Sequence, residues 1–243
     1  MHISTGERRC TFRPVFTVFS STCATYGVPK NLPISEETPQ QPINPYGWSK
    51  LFVERILLDK AAADPKFAFT ALRYFNVGGC AEDGSLGEDH NPETHLIPLV
   101  RQVAAGRRDA ITVFGTDYDT PDGTCIRDYV HVDDLGRAHL LAIERLDAEQ
   151  PQHYNVGIGH GYSVREVIES AERVTGRKIR VKYGDRRPGD PPKLWANADR
   201  IRSKLGWSPK FTDLDAVIST AWEWMQTHAN GYKTSGIEET SAD

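Results

Sequence analysis

A chain of 243 residues, 39% of them hydrophobic, is long enough for one large domain or two small ones and apolar enough to build a core, so disorder is excluded as the default. A net charge of −4 argues against a nucleic-acid-binding surface, and no apolar run approaches the ~20 residues of a membrane span. Residues 1–13 are polar and basic without an apolar stretch, which does not read as a signal peptide. The four cysteines (Cys10, Cys23, Cys80, Cys125) form no C-x-x-C pair, so reduced thiols in a cytoplasmic protein, with no metal site, are the expectation.

Residues 14–19 are short, β-branched and aromatic, and predict a buried parallel strand. Residues 20–44 read as a long loop rich in Pro, Ser, Thr, Gln and Asn, of the kind that carries chemistry. Asn44-Pro45 predicts a helix start, and Leu51, Phe52, Ile56 and Leu57 give an apolar stripe that takes the helix to about Ala63. A strand over 67–75, a Gly- and acid-rich loop over 76–95, a helix over 96–105 closed by Gly106 and a strand over 111–114 follow. Turns over 115–124 precede a short strand at 129–132 and a helix over 132–146 with Asp133 and Asp134 in its first turn. A strand at 153–157 runs into Gly157-Ile158-Gly159-His160-Gly161. Ser163 and Glu166 make a capping box for a helix to Thr175. The remainder predicts a strand at 179–183, an Arg/Pro/Gly loop at 184–192 and a short helix at 197–205. A final amphipathic helix carries Leu214, Val217, Ile218, Ala221, Trp222 and Met225, and 230–243 read as a disordered tail.

Strands alternate with helices throughout, so the fold class is α/β with a largely parallel sheet. A dinucleotide-binding fold opens with a strand, a glycine-rich turn and a helix, and no such turn stands near the start. Gly157-x-Gly159-x-Gly161 comes late and reads as a tight strand-to-helix turn that could also cradle an anion.

Tyr46 and Lys50, at i and i+4, share a helix face. Tyrosine is a poor base at its free pKa of about 10, and a nearby ammonium favours the phenolate. Thr22, at the end of a neighbouring strand, can bond the same substrate oxygen and relay its proton. The three form a candidate proton-handling site, although an ordinary exposed Tyr and Lys would show the same spacing. Arg127 and Arg187 suit bidentate phosphate contacts or surface ion pairs. Asn76, after a strand, either donates to a phosphate or caps a turn.

Six runs go further: Phe19-Ser20-Ser21-Thr22-Cys23-Ala24-Thr25-Tyr26-Gly27; Asn44-Pro45-Tyr46-Gly47-Trp48-Ser49-Lys50; Leu72-Arg73-Tyr74-Phe75-Asn76; residues 87–98; residues 114–132; and Arg186-Arg187-Pro188-Gly189-Asp190. Together, over about 15–232, the sequence resembles the UDP-glucose 4-epimerase (UDP-galactose 4-epimerase) family of the extended short-chain dehydrogenase/reductase group. The first three runs are common to many nucleotide-sugar enzymes; 115–132 is the specific one. The resemblance implies a Rossmann-type unit for NAD over 1–78, with 131–159 returning to it. A smaller α+β unit for the UDP-sugar would comprise 79–130 and 160–243. It implies NAD-dependent interconversion of UDP-galactose and UDP-glucose through a 4-keto sugar. Tyr46 would take the 4-hydroxyl proton with help from Thr22, and Lys50 would hold the nicotinamide ribose and lower the Tyr46 pKa. Ser20, Ser21 and Tyr74 would lie beside the cofactor. Asn76, Arg127 and Arg187 would hold the UDP phosphates, with His95 near them. Leu96 and Phe114 would flank the uridine, Tyr129 would belong to the same substrate set, Asp190 would touch the ribose, and Leu194 would gate N-acetyl sugars. A homodimer with the Tyr46 helix in its interface is also implied.

The pattern departs from the family in one respect. The glycine-rich pyrophosphate loop and the acidic residue for the adenosine ribose are missing, and residues 1–13 resemble nothing in it. An N-terminally truncated chain is therefore expected, with a partial sheet that exposes an apolar edge. Two other readings stay open. One is a catalytically inactive remnant that binds UDP or a UDP-sugar. The other is a related nucleotide-sugar dehydratase, which calls for an acid pair beside Thr22 that Cys23-Ala24 does not offer.

Overall fold

The computed structural model describes residues 16–146 and 152–232. In chain order come β1 (Phe16–Thr22), a 3-10 turn (Cys23–Tyr26), α1 (Pro45–Ala63), β2 (Ala68–Tyr74), β3 (Asn76–Gly78), α2 (Leu96–Ala104), β4 (Ile111–Phe114), β5 (Ile126–Arg127) and β6 (Tyr129–His131). Then follow α3 (Val132–Glu144), β7 (Gln152–Val156), β8 (Tyr162–Ser163), α4 (Val164–Thr175), β9 (Val181–Gly184), β10 (Lys193–Leu194), α5 (Asp199–Leu205) and α6 (Leu214–Thr227).

β1, β2 and β7 form a parallel sheet in that order, with Thr22 opposite Tyr74 and Tyr74 opposite Val156. The pairs β3–β6, β4–β9 and β10–β5 are also parallel, and β5–β8 is antiparallel. The expected strand at 14–19 runs on through three hydroxyl residues; positions 14 and 15 lie outside the described residues. Those hydroxyls fit in a sheet because they are partnered. Ser20 Oγ lies 3.0 Å from His139 Nε2, and Ser21 Oγ donates to Glu54 Oε1 at 2.5 Å.

α1 starts as the sequence predicts, with the Asn44 side chain accepting from Gly47 N at 2.8 Å. Its apolar residues do not form one buried stripe. Leu51 is buried and Leu57 packs on the Phe67–Phe69 cluster, while Trp48, Phe52 and Ile56 are exposed; the most deeply buried α1 side chain belongs to Glu54. The Ser163–Glu166 capping box starts α4 as expected. β9 begins at Val181 rather than 179, with Ile179 buried in the core, and α5 begins at Asp199, whose amide donates to the Asn197 side chain.

The larger core lies between α2, α4, α6 and β4, around Val100, Val167, Val217 and Trp224. A second joins Leu72, Val130, Tyr154 and Val156 to Ile201 and Trp207. Fully burying such a side chain contributes roughly 1.5–3 kcal/mol. α5 therefore packs on the β7 side of the first sheet, although the sequence division groups it with the second unit. Asp134 ties the two, accepting from Lys210 N and Phe211 N while Trp207 Nε1 donates to its carbonyl. Residues 230–232, expected within a disordered tail, are placed. Tyr232 OH bonds both the amide and the carbonyl of Gly87, and 233–243 lie outside the described residues. Among the described residues, no helix is long and apolar enough to cross a membrane.

Candidate active site

Thr22 ends β1 in an extended conformation, and its hydroxyl accepts from Ala24 N at 3.2 Å, starting the 3-10 turn. The first turn of α1 presses onto that turn at Gly47. A Cβ there would stand 2.6 Å from the Ala24 carbonyl oxygen, so only glycine allows this approach. The contact sets Tyr46 beside Thr22, and both line one cavity. Tyr46 is 52% exposed, and its partial burial holds the phenol above its ordinary pKa, while the Thr22 hydroxyl works the other way.

Lys50 reaches back to β1. Its amine donates to the Ser20 carbonyl at 2.9 Å and stands 5.7 Å from the Tyr46 ring centre and 5.2 Å from that of Phe19. The expected lowering of the Tyr46 pKa is not found. The carbonyl at the strand end takes the ammonium, and burial decides the phenol.

The cavity, about 1080 Å³, also has Tyr74, Asn76, His95, Leu96, Phe114 and Tyr129 in its wall, with Arg127, Arg187 and Asp190. Arg127 donates to its own neighbour's carbonyl, Ile126 O, and to Asp190 Oδ1 at 3.1 Å. The Arg187 guanidinium lies 4.0 Å from the Phe114 ring centre. Tyr129 is buried, which pushes its phenol far up. Four expected residues stay out of this wall. The Ser20 and Ser21 hydroxyls are committed to His139 and Glu54, Lys50 to Ser20, and Leu194 is buried among Cys23, Tyr26, Ile34 and Phe75. Wall residues that sequence reasoning missed include Phe75, Glu88, Glu93, Arg108 and Asp133. Phe75 lies inside a quoted motif; Arg108 carries no signal in spacing or composition.

Behind the wall runs a buried polar network. Arg73 grips Glu54 through Nε and Nη2, with Nη2–Oε2 at 2.6 Å, and Arg73 Nη1 donates to Tyr26 OH. Tyr26 OH donates to Asn155 Oδ1 at 2.7 Å. Burial alone would raise the Glu54 pKa, but the bonds and charge of Arg73, with Ser21 and Gln40, hold it below the usual value. The network locks α1, which carries Tyr46, to β1, β2 and β7.

The Gly157-x-Gly159-x-Gly161 turn is a tight turn, and the anion it wraps belongs to the chain itself. The buried Asp128 carboxylate accepts from the Ile158, Gly159 and Ala196 amides. A Cβ on Gly157 would meet that carboxylate at 2.5 Å. Burial raises Asp128 to about 6 despite these bonds.

Residues 8–157 match the NAD dependent epimerase/dehydratase family. The chain is 50% identical over 218 residues to the UDP-glucose 4-epimerase of Lacticaseibacillus casei, covering 88% of this chain and 65% of that protein. It is 51% identical over 219 residues to that of Streptomyces lividans, with 90% and 65% covered. Among solved structures it resembles the UDP-glucose 4-epimerase from Bifidobacterium longum in complex with NAD+ and UDP, at a TM-score of 0.85 and 45% identity over 89% of this chain and 65% of that one. It also resembles the Brucella ovis enzyme in complex with NAD, at 0.82 and 52% over 86% and 64%. The chain thus spans about 65% of the length of these relatives. Its parallel β1–β2–β7 sheet is of the Rossmann type, and with the family match the chain belongs to the NAD dependent epimerase/dehydratase family.

Proposed function

We propose that the chain interconverts UDP-galactose and UDP-glucose with NAD as cofactor. One observation carries this reading: the Thr22–Tyr46 pair shares a single cavity with Asn76, Arg127 and Arg187. A proton-handling pair faces the same space as the groups suited to a diphosphate. Tyr46 takes the proton of the sugar 4-hydroxyl and Thr22 bonds the same oxygen. Asn76, Arg127 and Arg187 hold the diphosphate, while Leu96 and Phe114 flank the uridine. His95 lies at the rim and Asp190 near the ribose. The relatives named above carry the epimerase name, which favours this reaction over a dehydratase.

A hydroxyl, a phenol and an ammonium at one strand end suit the nicotinamide-ribose end of NAD, with Tyr74 beside them. When bound, NAD supplies the hydride acceptor and donor. Its phosphates are not taken by the Ile158 and Gly159 amides, which Asp128 holds. The buried free thiols Cys23, Cys80 and Cys125 support a cytoplasmic setting. A homodimer would seat on the exposed Trp48, Phe52 and Ile56 of α1.

The test is conversion of UDP-galactose with added NAD, run beside calorimetric titration with UDP. Conversion supports the proposal. UDP binding without conversion selects a nucleotide-binding protein. Failure of both removes the cavity from any UDP-sugar role.

A further inference from the structure

Between β3 and α2 the chain gathers Glu88, His90, Glu93 and His95 so that one ligand atom from each lies within 4.8 Å of all the others. His95 Nδ1 is 2.6 Å from Glu88 Oε1 and 3.4 Å from Glu93 Oε1, and the His90 and His95 rings stack with centres 5.7 Å apart. From this geometry we infer that the four side chains bind a divalent first-row transition ion of the zinc, cobalt or nickel class.

The donor set suits such an ion. Two imidazoles with two carboxylates favour zinc and its neighbours over magnesium or calcium, which prefer oxygen alone. Tetrahedral zinc with ligands at about 2.0–2.1 Å puts donor atoms roughly 3.4 Å apart. The Glu93–His95 separation already has that value. The Glu88–His95 contact has to open by under 1 Å, and exposed His90 has the freedom to close from its wider distance.

Charge supplies a second, independent observation. The Glu93 side chain is only 6% exposed, and its Oε1 is fixed by the Thr94 and His95 amides. Its Oε2 accepts no hydrogen bond among the described residues, and neither Glu88 nor Glu93 pairs there with a lysine or arginine. Their one cationic partner is His95. Two carboxylates thus face two neutral-capable rings, and Arg101, which donates to the Glu88 carbonyl at 3.3 Å, pairs with neither carboxylate. The N-terminus of α2 offsets only about half a charge. A divalent ion fills the deficit. Glu88, Glu93 and His95 also line the large cavity, so the ion would stiffen that wall. The site stands whether or not the chain acts on a UDP-sugar.

The test uses the full chain without a histidine tag, stripped with chelator. Zinc is titrated by calorimetry and cobalt by visible absorption. One equivalent should bind, with the d–d bands of a four- or five-coordinate cobalt site. His90→Ala and His95→Ala should each weaken binding by more than about tenfold while circular dichroism stays unchanged. Glu93→Gln provides a further check should either histidine variant misfold. No saturable uptake by the unmodified chain overturns the inference without any variant. Uptake unchanged in the His90→Ala/His95→Ala double variant also overturns it, leaving an ion-pair cluster around protonated imidazoles.

Discussion

The Arg73 guanidinium clasps the Glu54 carboxylate in a pair sealed from solvent, both side chains 5% exposed or less. Replacing Arg73 with Met leaves a buried carboxylate without its cation. Arg73→Met should lose about 3–5 kcal/mol, read as a fall in urea midpoint. Glu54→Leu with Arg73→Met should recover much of it; no recovery would show that the loss comes from packing. Because Glu54 sits below its ordinary pKa of 4.5, its contribution is present above that value and fades as pH falls through the folded one. The urea midpoint should therefore fall on acidification below about pH 4.5, less so in the double variant.

Gly47→Ala tests the contact that brings Tyr46 to Thr22. In an unconstrained helix, alanine for glycine stabilises by about 1 kcal/mol. Here the added Cβ meets the Ala24 carbonyl at 2.6 Å, so a net loss of stability is expected. A raised melting temperature would mean that α1 and the 3-10 turn separate freely.

Asp128 gives a pH dependence of opposite sign. Its pKa rises from 3.8 to about 6 on folding, so its contribution is full below 3.8 and lost as pH rises through about 6. At 1.36 kcal/mol per pKa unit the change is roughly 3 kcal/mol. Asp128→Asn should lack this loss, and parallel stability curves for the two proteins between pH 4 and 7 would refute it.

Tyr46→Phe removes the phenolic proton site and little volume. It should abolish conversion of UDP-galactose yet spare UDP binding by calorimetry. Retained turnover would take Tyr46 out of its proposed role. In the unmodified chain, a half-exposed phenol held above its ordinary pKa predicts turnover that climbs toward alkaline pH.

Trp48 and Phe52 pack ring to ring at 5.6 Å on the open face of α1, with Ile56 alongside. On the proposed reading this exposed apolar face is the self-association surface. Phe52→Glu should lower the sedimentation coefficient to that of a monomer; an unchanged value in both proteins would remove this face from self-association.

Sequence alone reads α1 and α4 well, because their caps are local: Asn44-Pro45 in one, Ser163 with Glu166 in the other. It misses the end of β1. Ser20, Ser21 and Thr22 look like loop residues until their partners are known, and two of these lie 119 and 33 positions away. The i, i+4 spacing of Tyr46 and Lys50 correctly assigns a shared helix, but it does not say which acceptor the ammonium takes. Leu194 fails for a related reason. Its place in β10 sends it into the cluster behind Thr22, a consequence of pairing with β5 that no local pattern carries. Most wall residues were legible only because motif similarity already encodes the tertiary arrangement.

The Arg127–Asp190 pair has a consequence for selectivity. On the proposed reading, an incoming anion does not meet a bare guanidinium; it shares one that a carboxylate already holds at 3.1 Å. The attraction available to it is then what Asp190 leaves over. A small monoanion would gain little from that remainder, whereas a ligand that also reached Arg187 and Asn76 would gain more. Asp190 would thus be a resident competitor that discriminates against simple salts.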